Sequence, residues 1–469
     1  MRSIVWFRGK DLRVADHGPL VEAAATGEVL PLFVLDPYFF APERAQTLPH
    51  RMQFLLDSLR VLAAELARLG SRLLVVSGRS VEVVPRLATQ WQANRVLAHR
   101  WTEPFGRERD RRVGAALERA GIGFRLFEGE TLLPPGSVRN GQGGMFRVFT
   151  PFGRACGARL DLGAVLPAPG SLPPLPDLVA DLEGCPIPTL EDLGLVANPA
   201  LQQGGEQAAR ARLNAFLTGV LTDYAEGRDR MDQSGTSRLS ADLKFGTLSV
   251  RTVWQAVGTA GPGEAVGRFR NELLWREFSH HLLWEWPDLL ERPFRAGFQG
   301  FPWRDDSADW RAWLEGRTGY PVVDAAARQL RAEGFVHNRA RMVAASFLTK
   351  HLLIDYRHGE AHYLRWLTDG DWAANNAGWQ WSAGCGCDAQ PWFRIFNPVA
   401  QGLRFDPDGA YVRRWVPELS GCPTTFIHEP WKAPEALWAS FGYPAPIVGH
   451  ALARQRFLAT AKGHLNRSE

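Results

Sequence analysis

No stretch of the sequence approaches about 18 consecutive apolar residues, and Met1 to Phe7 runs into a strand-like segment without the apolar core of a secretion signal. A soluble, cytoplasmic, monomeric protein with no membrane partner is the expectation. Cysteine is scarce: Cys156, Cys185, Cys385, Cys387 and Cys422 are odd in number and lack paired spacing, which excludes a disulfide framework. Cys385-Gly-Cys387 has no second pair to complete a metal site, so no metal is expected. Neither G-x-G-x-x-G nor G-x-x-x-x-G-K-[ST] follows any strand-like run, which leaves a dinucleotide fingerprint and a P-loop unsupported. Internal repeats are absent. The excess of one charge is slight, a net +4, compatible with many partners besides nucleic acid. With 45% apolar and 22% charged residues, the composition excludes disordered and collagen-like classes.

What is abundant is tryptophan: 18 residues, 15 of them after residue 200. A Trp-rich core explains this, and so does stacking on bases or on a planar cofactor, so position has to decide. At 469 residues the chain is too long for one ordinary core and divides into two domains, one of them large. Short β-branched runs (Ile4–Phe7, Val29–Leu35, Arg72–Val76, Arg95–Ala98 and Phe124–Phe127) alternate with helical stretches such as Arg51–Leu69 and Arg107–Ala120. That alternation is the pattern of a doubly wound parallel sheet. Pro167, Pro169, Pro173, Pro174, Pro176, Pro186, Pro188 and Pro199 crowd the stretch from Gly163 to Ala200, which reads as an extended surface connector. Beyond it helical patterns dominate: Glu206–Leu217, Leu248–Ala256, Glu264–Trp286, Tyr320–Arg331, Asn338–Leu353, Gly359–Leu367 and Trp372–Trp381. The expected fold is an α/β doubly wound parallel-sheet domain over 1–130, a connector over 131–203 and a larger all-α domain over 204–469.

Four constellations carry chemistry. In Gly235-Thr-Ser-Arg-Leu-Ser240, hydroxyls cluster before a helix start and offer caps and backbone donors to an anion; alone, such a cluster is more often just a cap. Asp371 is a natural N-cap for Trp372–Trp381, where Asn375 and Trp379 share a face while Trp381 points away from it. In Asn271-Glu-Leu-Leu-Trp-Arg-Glu-Phe-Ser279, Glu272, Trp275, Arg276 and Ser279 form one stripe. An exposed face with an i,i+4 Glu–Arg pair accounts for that stripe, except that Trp275 would be stranded among charges. His337-Asn-Arg-Ala-Arg-Met342 likewise puts Asn338, Arg341 and Met342 together. Such faces suit a pocket gripping a flat, partly polar group.

Together with Gly316–Arg328, Phe335–Met342, Asp369–Trp381, Trp392–Pro398, Val5–Arg13 and Val148–Phe152, these motifs resemble the photolyase/cryptochrome family in order and spacing over nearly the whole chain. The branch they resemble is the class I photolyases of cyclobutane pyrimidine dimers. The resemblance implies an N-terminal antenna domain and a helical domain that binds FAD and repairs DNA, acting as a light-driven carbon–carbon lyase. FAD, reduced in the active state, is implied at Tyr224, Thr236, Ser237, Arg238, Leu239, Ser240, Asn338, Arg341, Asp369, Asp371 and Asn375. Ultraviolet-damaged DNA, single- or double-stranded, is implied at Glu272, Trp275, Arg276, Asn338, Arg339, Met342, Trp381 and Gln401, with the dimer flipped between Trp275 and Trp381. Glu272 and Asn375 are implied in catalysis, as hydrogen-bond partners of the base edge and of the flavin. Photolyases of (6-4) photoproducts carry a His pair where this chain has Asn338 and Met342, which favours cyclobutane dimers as the substrate.

Flavin photoreduction is implied along Trp379, Tyr356 and Trp303, with Tyr356 standing where the family has Trp, so that a detour through another indole such as Trp366 is a working hypothesis. The antenna residues are less complete. Glu103-Pro-Phe-Gly-Arg107 and Leu289-Leu-Glu-Arg-Pro293 supply neither the Asn-Glu pair nor the Lys of folate binders. Lys244 in Leu243-Lys-Phe-Gly246 resembles the deazaflavin branch, although Trp101 stands where that branch has an acid. 8-Hydroxy-deazaflavin is therefore favoured over folate or a second flavin as antenna. The competing classes are a cryptochrome-like blue-light photoreceptor and a plain flavin oxidoreductase, for which no electron-donor motif is present.

Overall fold

The computed structural model describes residues 1–174 and 184–466; Pro176 of the connector lies outside them. Packing divides the chain into two units. The first comprises Met1–Phe146, Thr150–Leu221 and Ser237–Pro287, the second Arg147–Phe149, Thr222–Thr236 and Asp288–Glu469.

In the first unit five parallel strands, β1 (Arg2–Phe7), β2 (Glu28–Leu35), β3 (Leu74–Ser77), β4 (Arg95–His99) and β5 (Gly123–Phe127), lie in the order β3-β2-β1-β4-β5. The alternation of side chains along a strand sends Val5 and Phe7 of β1 to one face and Ile4 and Trp6 to the other. Val5 and Phe7 join Phe33, Leu97 and the Pro49–Arg68 helix in one core; Ile4 and Trp6 join Leu32, Val96 and the Ser80–Gln90 helix in another. Both faces are covered, as the apolar runs require of a parallel sheet. All five expected strands are present. β3 starts two residues later than expected because its pairing on β2 begins at Leu32↔Leu74. The connector has no regular element over 160–174 and is tied down by Leu172 N–H to the Leu69 carbonyl (2.6 Å) and Cys185 N–H to that of Val75 (2.8 Å).

Four helices that follow the connector pack within this unit: Glu206–Ala215, Ser240–Phe245, Val250–Gly258 and Glu264–Glu285. The Glu206 carboxylate accepts from Val14 N–H (2.7 Å), and Arg212 grips Asp242 with two bonds of 2.9 and 2.6 Å. The Glu264–Glu285 helix is fixed by three buried polar residues on one side. The Glu277 carboxylate, fully buried, accepts from Leu132 N–H (2.9 Å) and Leu133 N–H (3.0 Å); His280 meets the Thr102 hydroxyl at 2.7 Å; His281 accepts from Gly136 N–H at 3.2 Å.

The second unit holds helices and no strand among the described residues. Pro321–Glu333, Asn338–Ser346, Tyr356–Trp366 and Trp372–Ala383 pack around one core that includes Trp313, Phe347, Tyr363 and Trp379. The Asn338 helix ends in a wider turn, Phe347–His351, and the chain reverses at Leu353 with φ +57°. All five cysteines are free. No helix of the described residues is long and apolar enough to cross a membrane.

Removing the Glu277 carboxylate leaves one buried and one half-buried N–H group without this acceptor, each worth up to about 1–3 kcal/mol. Glu277→Ala is expected to destabilise the protein by about 2–4 kcal/mol in denaturant unfolding, and Glu277→Gln, which keeps an acceptor, by less.

Candidate functional site

The second unit carries most of the residues singled out by sequence. Asp371 caps its helix as expected, its carboxylate accepting from Ala374 N–H at 2.9 Å. Along Trp372–Ala383 one side is buried (Ala373, Asn376, Trp379, Gln380, Ala383), while Ala374 and Gly378 are exposed and Asn375 and Trp381 half-buried. A Cβ on Gly378 would meet no atom within 4 Å, whereas one on Gly359 would lie 2.2 Å from the Trp379 ring. Trp379 is thus locked against Gly359, and the helix keeps an open stripe of Ala374, Gly378 and Trp381 edged by Asn375. Asn375 donates its Nδ2 to the Glu360 carbonyl at 3.1 Å, which turns its Oδ1 the other way.

Two amides that the sequence reading passed over hold this helix in place. Asn376 donates to the Leu289 carbonyl (2.9 Å) and to the Glu360 carboxyl (3.0 and 3.2 Å). Gln380 donates to the carbonyls of Leu289 (2.9 Å) and Arg292 (3.1 Å) and accepts from Phe294 N–H (2.8 Å). Burial pushes the Glu360 carboxyl up to about 7.

On the Asn338–Ser346 helix, Arg341 pairs with the Asp369 carboxylate at 2.9 Å and donates to the Val336 carbonyl at 2.8 Å. Arg339 pairs with Asp229 at 2.6 Å and lies 4.2 Å over the Phe405 ring. Exposed Asn338 and half-buried Met342 adjoin one turn apart, amide to sulfur 3.7 Å. His337 caps the helix through Arg339 N–H, and burial pushes its imidazole down to about 4, so it is neutral. Gln401 is half-buried, its Oε1 without a partner among the described residues. Tyr224 is buried with the Arg228 guanidinium 5.7 Å over its ring, and Thr236 is half-buried. Trp303 and Tyr356 line one cavity of about 120 Å³ together with Arg292 and Arg357.

The remaining residues belong to the first unit. Arg238 adopts φ +56°, a left-handed conformation that a non-glycine residue takes up only under local constraint. The turn it makes leads into Ser240–Phe245, whose start has no side-chain cap; the Ser237 hydroxyl accepts instead from Leu239 N–H at 3.4 Å. The hydroxyl cluster is therefore not the cap that sequence suggested, and the first N–H groups of the helix are left to other acceptors. Glu272 and Trp275 are half-buried, the Trp275 ring 6.0 Å from Phe278. The Arg276 guanidinium donates to the carbonyls of Glu130 (2.6 Å) and Leu243 (3.4 Å), partners that helical spacing does not announce.

At the carboxyl ends of β2 and β4 the same unit gathers aromatic rings. Tyr38 stacks on Phe105 at 3.8 Å, Phe39 meets Trp101 at 6.2 Å, and Arg109 lies 4.3 Å over Trp101. Lys244 lies 5.0 Å over the Phe245 ring. Nearby, buried Asp11, His17 and His99 converge within 4.8 Å; burial and then His17 push His99 down to about 3.

Residues 3–174 match the family described as DNA photolyase, and residues 269–463 match the FAD binding domain of DNA photolyase. The chain belongs to the photolyase/cryptochrome family and carries its FAD-binding domain. Among its relatives, the deoxyribodipyrimidine photo-lyase of Thermus thermophilus is 42% identical, the match covering 98% of both chains. A class III photolyase from Agrobacterium tumefaciens has a TM-score of 0.90 at 38% identity, covering 99% of this chain and 98% of its own. An archaeal photolyase from Sulfolobus tokodaii, solved with two FAD molecules and described as implying a novel light-harvesting cofactor, has a TM-score of 0.85 at 30% identity, covering 99% and 100%.

The raised Glu360 carboxyl gives a testable pH dependence. An unfolded glutamic acid ionises near about 4.3, so between that pH and about 7 the folded protein holds the extra proton and loses stability as pH rises. Relative to Glu360→Gln, the wild type is expected to lose about 1–3 kcal/mol across this window and to level off above it. Melting temperatures of both proteins from acid to neutral pH check the sign.

Proposed function

We propose that the chain splits cyclobutane pyrimidine dimers in DNA under blue light, with reduced FAD as the electron donor. The observation that carries the proposal is the Asn375 side chain. Its Nδ2 is committed to the Glu360 carbonyl, and the remaining Oδ1 suits a protonated ring nitrogen such as N5–H of reduced flavin. The other cofactor residues fit the group chemically. The Arg238 turn and the uncapped start of Ser240–Phe245 suit a pyrophosphate, with Ser237, Leu239 and Ser240 in the same unit, and Tyr224 and Thr236 are proposed for the same cofactor. Arg341 paired with Asp369, together with Asn338 and Asp371, supplies polar groups for the ring system. Bound and reduced, FAD supplies the photoexcited electron that opens the cyclobutane ring and receives it back.

The chain's own part is to seize and orient the lesion. Trp275 and Trp381 offer half-buried indole faces for the flipped bases, and Glu272 hydrogen-bonds a base edge. The Asn338–Met342 turn packs against the dimer. Arg339, Gln401 and the N–H groups of Arg276 not used by its two carbonyls reach the DNA backbone. Met342 and Asn338 offer no imidazole pair for proton transfer, which supports cyclobutane dimers over (6-4) photoproducts. In this reading 1–130 serves as the antenna domain, 131–203 as the connector and 204–469 as the repair domain of a cytoplasmic monomer, with class I as its branch. The aromatic cluster of Tyr38, Phe39, Trp101 and Phe105, with Lys244, supports an antenna chromophore, for which we favour 8-hydroxy-deazaflavin.

The reaction is tested with the reduced protein, ultraviolet-irradiated oligothymidine and blue light. Recovery of thymine absorbance is expected, and its absence in a protein that holds reduced FAD would refute the proposal. Trp275→Ala and Trp381→Ala are each expected to weaken binding of the dimer-bearing oligonucleotide by roughly 5- to 150-fold, from about 1–3 kcal/mol per stacked base. Affinity for undamaged oligothymidine, titrated in parallel, should change little.

A further inference from the structure

Trp379 has two ring neighbours that the Tyr356 and Trp303 route does not use. Tyr363 lies 5.1 Å away and Trp313 6.1 Å away, centroid to centroid and both edge-on. Trp313 is in turn stacked on Trp310, with centroids 5.5 Å apart and planes 13° apart. Trp310 and Trp313 are three residues apart on the Ser307–Glu315 helix and so stand on adjacent turns. Trp379 and Trp313 are buried (3% and 1%), and the series ends at half-buried Trp310. No comparable ring contact joins Tyr356 to Trp379 or to Trp303 among the described residues.

The chemistry of the competing relays points the same way. A phenol gives up an electron readily only when its proton can leave with it. The hydroxyls of Tyr356 and Tyr363 are buried without a hydrogen-bond partner among the described residues, and burial holds both phenols well above their ordinary pKa. An indole radical cation keeps its N–H, and Trp313 already donates that N–H to the Ala344 carbonyl at 3.2 Å, which steadies positive charge on the ring. Trp366, the other candidate, has the guanidinium groups of Arg331 and Arg365 at 5.3 and 5.4 Å over its ring, and two cations oppose a third.

We propose that Trp313 and Trp310 form the electron relay that reduces the flavin in this protein, taking the place of Tyr356 and Trp303. The proposal rests on the flavoprotein reading above and on the place of Trp379 as the first donor of the photoreduction route that the family resemblance implies. Under light Trp379 would give one electron to the oxidised flavin, Trp313 would refill Trp379, and Trp310 would refill Trp313. The Trp310 radical cation then loses its N–H proton to water, and an external thiol restores it with one electron and one proton. Two such rounds deliver the two electrons of full reduction.

The test is flash photolysis of the FAD-loaded oxidised protein, reading the long-lived indole radical. Trp310→Phe and Trp313→Phe are each expected to lower its yield by roughly fivefold or more, and Tyr356→Phe by less than about twofold. Near-wild-type yields in Trp310→Phe, a Tyr356→Phe loss equal to that of Trp379→Phe, or no long-lived indole radical in the wild type would each overturn the proposal. Because Trp313 is buried and its variant can fail to fold, half-buried Trp310→Phe decides the matter alone, with bound FAD measured in both. Chemically reduced Trp310→Phe should still repair irradiated oligothymidine. Failure of repair in chemically reduced wild type refutes the photolyase reading, while the radical yields still report on the relay.

Discussion

The second unit depends on a buried ladder of one carboxyl and two amides. Glu360, Asn376 and Gln380 tie the turn around Leu289 to Phe294 onto the helix that bears Asn375, Trp379 and Trp381. Amides satisfy carbonyls that no regular element satisfies, so the segment can stay irregular without orphaned polar groups. The helix is thereby fixed in rotation about its axis. With Asn376 and Gln380 facing inward, Ala374, Gly378 and Trp381 must face outward, and Asn375 is left at the boundary. Position on that helix separates buried Trp379 from half-buried Trp381.

Much of the fold was legible because its signals are local. Five β-branched runs became five strands, and Asp371 caps its helix in the way its place before an apolar stretch announces. The Leu248–Ala256 helix moved two residues on, to Val250–Gly258, because Ser249 makes the capping bond to Thr252 N–H. What stayed hidden is long-range. Nothing near Glu277 in the sequence discloses that its carboxylate closes on the main chain 145 residues earlier. Its one local sign is a charge embedded between Leu273, Leu274 and Phe278.

The candidate site divides along the same line. The faces of Asn338 with Met342 and of Asn375 with Trp379, turned away from Trp381, follow from helical period alone. The partners of Arg276 and Arg339 do not, since a guanidinium reaches far enough to meet a distant carbonyl or carboxylate. Trp313 and Trp310 were invisible as a pair with Trp379, because three indoles in a Trp-rich half say nothing of which are adjacent. Packing decides it, through the close fit of Gly359 under Trp379.

The two compact units are woven from alternating lengths of chain, so neither is finished by a continuous run of residues. The parallel sheet can assemble once residue 127 has emerged from the ribosome, yet the unit it belongs to waits for the Glu264–Glu285 helix and its buried Glu277. Synthesis must pass well over half the protein before the earlier body can close. A cut in the proline-rich stretch would thus sever each body from part of itself, and any attempt to express the halves separately should yield fragments with apolar faces laid bare.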